Sequence, residues 1–297
     1  MRILRNPIGI GAAAAVLCLL GFGGDALAQS SNDSLRVGGS TTLVPSVVNA
    51  ASTFMETFET WDKASSTLPG EPTIIYVTGG GSGFGVKSAT NGTVDIGMAS
   101  RDLKDKEKSA LGTFEAVLVG KDAVAIAANV DNPLAKTRKN LTTEEVRKLF
   151  SGELKTYKDL DASLPDKEIV LLVRDASAGS AEIFQEKIMG EAAVSSDALQ
   201  MPSQGALMKK LESNASALAY MSSGLATEND GIQTFALDGV EPTNANVVKG
   251  EYPLARPLLM IVKGQPNPMA KRFLDYMLAE GQTDVASQGY VPVHEVQ

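Results

Sequence analysis

The sequence predicts an α/β fold with largely parallel sheets, on three observations. Runs that read as strands alternate with amphipathic helical runs from end to end. Clusters of Gly and Ser recur where a strand hands over to a helix, at Gly38–Thr42, Gly79–Gly83 and Asp175–Ser180. The length left after an N-terminal leader is long for one core, and at about 100–200 residues per domain it points to two lobes.

The leader comes first. Arg2 and Arg5 open the chain, an uncharged run extends from Asn6 to Gly24, and Ala26-Leu27-Ala28 makes a small-x-small cleavage site before Gln29. That is the layout of a secretory signal peptide over residues 1–28. A membrane anchor fits less well, because five glycines and a proline break the run and Asp25 ends it. The lone cysteine, Cys18, comes after Val16-Leu17 rather than small residues, so a lipid anchor is not expected and the mature chain carries no cysteine. An exported chain without disulfides must rely on its core.

The remaining elements come in order. Leu35–Gly38 reads as a short strand. Pro45–Phe58 reads as a helix with Val47, Val48, Ala51, Phe54, Met55 and Phe58 on one stripe. Thr73–Thr78, Val94–Met98 and Asp122–Ala128 read as strands, the last fully buried. Leu141–Phe150 is a helix whose start is marked by a Thr142/Glu145 capping box. Glu168–Val173 is a strand and Ser180–Met189 a helix. Leu218–Met221 and Pro257–Val262 are further strands, and Pro268–Ala279 closes the series as a helix burying Met269, Phe273, Tyr276 and Met277.

In open parallel sheets ligands sit beyond the carboxyl ends of strands, where helix N-termini present unpaired NH groups and a positive dipole end. Three Gly/Ser clusters converging there would make an oxyanion site. Read singly, each is a turn and a cap.

Charge and composition exclude several classes. The chain has 27 basic and 35 acidic residues; the leader takes two and one, leaving a mature net charge of −9. With no Lys/Arg block, the chain is a poor candidate for binding nucleic acid or anionic membrane. The loop TGGGSGFGVK at Thr78–Lys87 fails the nucleotide motifs in phase: Val86 separates Gly85 from Lys87, and Phe84 or Val86 stands where a dinucleotide fingerprint needs its third glycine. Ser82 does not sit in a nucleophile elbow, since Phe84 stands where the second glycine is needed. His294 reads as a solvated terminal residue. With one His and no mature Cys, no zinc or copper site, no cofactor and no enzymatic chemistry is expected, and only an oxygen-ligated calcium or magnesium site stays open. Asp102, Lys104, Asp105, Lys106 and Glu107 read as a solvated helix face.

Several segments, in order along the chain, resemble the phosphate-binding proteins of bacterial ABC uptake systems. They are GGSTTLVP at Gly38–Pro45, GGGSGFG at Gly79–Gly85, VDIGMASRDL at Val94–Leu103, LTTEEVRKLFSGELKTYKDL at Leu141–Leu160, VRDASAGSAEIF at Val173–Phe184 and YPLARPL at Tyr252–Leu258. The resemblance implies a two-lobed type II periplasmic binding protein fold with two hinge crossovers, near Leu118–Asp122 and Tyr252–Leu258. Lobe one would be residues 29–118 plus 252–297, and lobe two 119–251. It further implies a monomer in the periplasm that closes on inorganic phosphate and delivers it to an ABC permease. By position, Thr41, Thr42, Ser82, Ser100 and Arg101 would contact the anion from lobe one, and Arg174, Ala178, Gly179 and Ser180 from lobe two.

Two positions depart from the family's pattern. Ala178 stands where the family has a serine, which removes a hydroxyl but leaves the backbone NH. Arg101 stands where some members carry an aspartate that accepts the proton of hydrogen phosphate. Three rival readings remain: a carrier or sensor for another oxyanion (sulfate, molybdate, phosphonate), a secreted phosphohydrolase, or a scaffold that has lost the pocket.

Overall fold

The computed structural model describes residues 34–294. The expected signal peptide, with Cys18, lies outside them. Eleven strands form one curled, twisted sheet: β1 Ser34–Gly39, β2 Ile74–Gly79, β3 Ile96–Ala99, β4 Phe114–Asn129, β5 Asn140–Leu141, β6 Val170–Arg174, β7 Leu199–Met201, β8 Ala217–Ser222, β9 Ile232–Leu237, β10 Ala255–Lys263 and β11 Val291–Pro292. The main order is β2-β1-β3-β10-β4-β8-β6-β7, with β11 and β9 also on β4 and β5 on β9. The outer ladders β1/β2, β1/β3, β6/β8 and β6/β7 are parallel.

The middle of the sheet departs from the parallel expectation. β10 runs antiparallel to both β3 and β4, and β4 antiparallel to β8 and β9. β4 also extends well beyond the expected Asp122–Ala128. Residues 114–123 of this 16-residue strand pair with β10, and from Val124 onward it pairs with β8 and β9. One strand thus serves both halves of the sheet. Only its second part reads as a continuous apolar run, because the first part is partly exposed. β9 and the helix Gln204–Glu212 have no counterpart among the elements expected from the sequence.

Aromatic packing fixes each half. In the first, Phe54 of the helix Val44–Thr57 meets Phe273 and Tyr276 of the helix Pro268–Leu278 edge-on, at 5.6 and 5.0 Å. In the second, Phe184 stacks on Tyr220 of β8 at 4.1 Å, with Phe150 against both rings. Phe184 ends the helix Gly179–Phe184, which continues as a π-helical turn over Gln185–Met189. That stack therefore ties a glycine-headed helix start to the core. The Thr142/Glu145 capping box forms as expected: Thr142 Oγ1 accepts from Glu145 N at 3.1 Å, and Glu145 Oε2 accepts from Thr142 N at 2.8 Å.

Candidate functional site: a cluster of hydroxyl donors at the strand ends

The parallel register of β1, β2 and β3 sets Gly39 opposite both Gly79 and Met98, so all three strands end at one edge. Thr41 and Thr42 come just after β1, Ser82 after β2 and Ser100 after β3. Close approach of the helix Ser82–Asn91 to the sheet requires glycine. A Cβ on Gly85 would lie 2.2 Å from the Met98 carbonyl oxygen and 2.9 Å from the Gly39 Cα. That contact seats buried Ser82 beside β3, where its Oγ accepts from the Ser100 NH at 3.0 Å and lies 3.3 Å from Ser100 Oγ.

The second half supplies β6 and the turn into the next helix. Arg174, at the end of β6, is 3 % exposed. Its Nε donates to the Met201 carbonyl, its Nη2 to Asp175 and Pro202, and its Nη1 to Thr41 Oγ1 at 3.0 Å. Burial pushes the Arg174 guanidinium below its usual pKa, with Asp175 opposing and the nearby Arg256 cation adding to the effect. An anion beside it would relieve that cost. Burial alone would raise the Asp175 carboxyl; the Ser177 hydroxyl and Arg174 outweigh it and hold Asp175 low.

The two halves touch through glycine. A Cβ on Gly179 would sit 2.5 Å from Ser82 Oγ and 2.9 Å from Ser100 Oγ. Gly83 N donates to the Ser177 carbonyl at 3.1 Å. The first NH groups of the Ser82 and Gly179 helices have no acceptor within their helices; that of Gly83 is taken by Ser177 across the two halves. Ser180, also buried, accepts from Gln204 Nε2 at 3.4 Å.

Thr41, Thr42, Ser82, Ser100, Arg174, Gly179 and Ser180 are therefore brought together. Two expected residues behave differently. Arg101 is buried but turned away: its Nη1 and Nη2 donate to the two Glu107 oxygens at 2.8 Å each, and its Nε lies 3.0 Å from Glu182 Oε2. Burial opposes its charge, but Glu107 and Glu182 outweigh that and raise its pKa. A guanidinium already held between two carboxylates has little left for an anion. Glu107 is accordingly no part of a solvated face, although Asp105 on the same helix is fully solvated. The Ala178 NH is not free either, since it donates to the Asp175 carbonyl at 3.0 Å.

One residue beside the cluster is absent from the set expected on sequence grounds. Arg256 of β10, 2 % exposed, pairs with buried Asp122 of β4 and donates to Thr42 Oγ1 and Ser100 Oγ, both at 3.2 Å. The signal was present in the sequence, as a single charge inside the apolar run Leu254–Val262. A buried charge needs a partner.

A cleft of about 1030 Å³ runs along the Gly179 helix, lined by Ala181, Glu182, Asp102, Lys104 and Pro257 among others. It reaches Arg101 and Arg174 but is not lined by Thr41, Thr42, Ser82, Ser100 or Gly179. Convergent donors mark an anion site better than volume does, so the hydroxyl cluster is the candidate. Among the described residues no group of three or more His, Cys, Asp or Glu could hold a metal ion.

Comparison with known proteins gives a consistent picture. Residues 26–280 match the family described as the PBP superfamily domain. The phosphate-binding protein PstS of Bacillus subtilis (strain 168) is 29% identical over 274 residues, covering 91% of this chain and 84% of that one. A Clostridium perfringens protein crystallised with bound phosphate, described as a phosphate ABC transporter substrate-binding protein, superposes with a TM-score of 0.74. It is 28% identical and covers 88% of this chain and 100% of its own. An ABC-type phosphate transport receptor from Vibrio cholerae shares the fold, with a TM-score of 0.65 at 23% identity, over 86% of this chain and 99% of its own.

Proposed function

The chain belongs to the PBP superfamily, and from that premise we propose that it is an exported solute-binding protein that captures inorganic phosphate for an ABC permease. The observation that carries the reading is the hydroxyl cluster. Thr41 accepts from Arg174, Thr42 and Ser100 accept from Arg256, and Ser180 accepts from Gln204. Each partner nitrogen can only donate, so each hydroxyl keeps its hydrogen for another acceptor. A tetrahedral oxyanion offers several acceptor oxygens at once, and the helix-end NH groups and Arg174 add to the set. Hydrogen bonds to a charged group contribute about 1.5–3 kcal/mol each, so a half-dozen offset the cost of association. The relatives in Bacillus subtilis and Clostridium perfringens, named for phosphate, support the same ligand.

In this reading the lobes are residues 29–118 plus 252–297, and 119–251. β4 and β10 form the hinge, because β4 changes partners at Ala123/Val124. Ligand bridges donors from both lobes and so favours the closed arrangement, which a permease can recognise. The protein works as a monomer in the periplasm after its leader is removed, binds and releases without covalent chemistry, and needs no cofactor. Calorimetric titration of the mature protein, stripped of ligand by unfolding and refolding, tests the reading. One phosphate per chain at micromolar or tighter affinity is expected, and no heat with phosphate would overturn it. Sulfate binding as tight as phosphate would replace the ligand by a broader oxyanion class.

A further inference from the structure

We infer that the buried Asp122–Arg256 pair is a positioning device that fixes the polarity of the first lobe's hydroxyls, so that Thr42 and one member of the Ser82/Ser100 pair keep a hydrogen free for the ligand. The inference rests on the oxyanion reading above and deepens it.

The pair occupies opposed positions on the two central strands, Arg256 across from Asp122 in the β10/β4 register. Both side chains are fully buried. Asp122 is saturated: one oxygen accepts from Arg256 Nε and Nη2 at 3.2 and 2.7 Å, the other from Ser223 Oγ and Gly224 N at 3.1 and 3.2 Å. It therefore neutralises Arg256 and fixes the direction of its fork. The outward edge of that fork reaches Ser100 Oγ and Thr42 Oγ1.

Arginine has five donors and no acceptor, so both hydroxyls must accept from it. The Thr42 hydrogen then points elsewhere. The Ser100 hydrogen can go to Ser82 Oγ, 3.3 Å away, which already accepts from the Ser100 NH. With two acceptances a hydroxyl oxygen is full, and the Ser82 hydrogen must leave the group. If Ser82 donates to Ser100 instead, the Ser100 hydrogen is released in its place. Either way one hydrogen of the serine pair and one of Thr42 are turned outward.

The pair carries no net charge, and the donors of Arg256 are spent on Asp122, Ser100 and Thr42. Arg174 attracts the anion; Arg256 acts by orienting donors. Loss of the pair should lower affinity without changing the dependence of association rate on ionic strength, a dependence set by charge.

The test uses phosphate and sulfate titrations of the mature protein and of three backgrounds: Asp122→Asn/Arg256→Gln, Thr42→Val/Ser82→Ala, and all four substitutions together. The neutral pair keeps volume but leaves an amide free to donate or accept, and should weaken phosphate binding about tenfold, with the salt dependence of association unchanged. Because the pair acts through the hydroxyls, the fourfold variant should lose clearly less than the product of the two separate losses. If the asparagine/glutamine variant does not fold by circular dichroism, Arg256→Lys replaces it, since a lysine keeps the charge and loses the fork. An affinity within twofold of the parent, or losses that multiply, would overturn the inference while leaving the carrier reading intact. A parent that bound neither anion would overturn both.

Discussion

Gly179→Ala is the substitution whose effect the geometry determines most closely. The backbone there does not need glycine, because Gly179 is the first residue of a helix and its φ is not positive. Space does. The added carbon would lie 2.5 Å from Ser82 Oγ, 2.9 Å from Ser100 Oγ and 3.0 Å from the Ser100 carbonyl oxygen. In the two-lobed reading proposed above all three atoms belong to the other lobe, so the clash arises only when the lobes are together. Ser100 is held by Arg256 and Ser82 by the Ser100 NH, so neither oxygen can retreat without losing a hydrogen bond. Overpacking of this kind costs about 1–3 kcal/mol. Assigned to the closed state alone, that is a loss of roughly five- to 150-fold in phosphate affinity. The melting temperature of the unliganded protein should hold or rise slightly, since alanine is the better helix former. Calorimetry and thermal unfolding on one preparation read both quantities. Unchanged affinity, or equal losses of affinity and stability, would refute the reasoning.

Three further outcomes are expected. Arg174→Ala should weaken phosphate binding by about 2–4 kcal/mol, because the anion loses its charged partner at a buried site; titration within twofold of the parent would remove Arg174 from the contacts. Arg101→Met removes the cation between Glu107 and Glu182, of which Glu182 keeps Lys104, and should cost about 1–3 kcal/mol in denaturant unfolding while leaving the phosphate-to-sulfate ratio unchanged. Burial alone would raise the Glu107 carboxyl, but the Arg101 hydrogen bond and the Lys104 backbone NH outweigh it and hold the pKa below the ordinary 4.5. A carboxyl depressed on folding stabilises fully above its unfolded pKa, and that share is lost as pH falls through the folded value. Stability measured downward from pH 5 should therefore decline less steeply in Glu107→Gln than in the parent.

Much of the site could be read along the chain because its pieces are local. Each Gly/Ser cluster combines a strand end, a turn and a helix start, and those three features have sequence signatures. Thr41, Thr42, Ser82, Ser100, Gly179 and Ser180 all belong to such strand-end segments. The pairing of charges over long distances has no such signature. Arg101 resembles a ligand because it adjoins Ser100, yet its charge is taken up by Glu182, on the Gly179 helix, and by Glu107, whose neighbours are solvated. Arg256 and Asp122 stand 134 residues apart, and only the antiparallel meeting of β10 and β4 sets them side by side. The full span of β4 is hidden for a related reason. Its first part is partly exposed, and a strand that leaves one half of a sheet for the other has no single apolar pattern. The lone charge of Arg256 in its apolar run is the visible trace of the pair.

The most direct measurement is a crystal structure of the mature protein grown with phosphate. One phosphate is expected within hydrogen-bond reach of Thr42, Ser82, Arg174 and Ser180, at the N-terminal ends of the Ser82 and Gly179 helices, with Arg101 still held by Glu107 and Glu182. Phosphate seated on Arg101, or in the cleft along the Gly179 helix with the hydroxyl cluster bonded only to itself, would contradict the account.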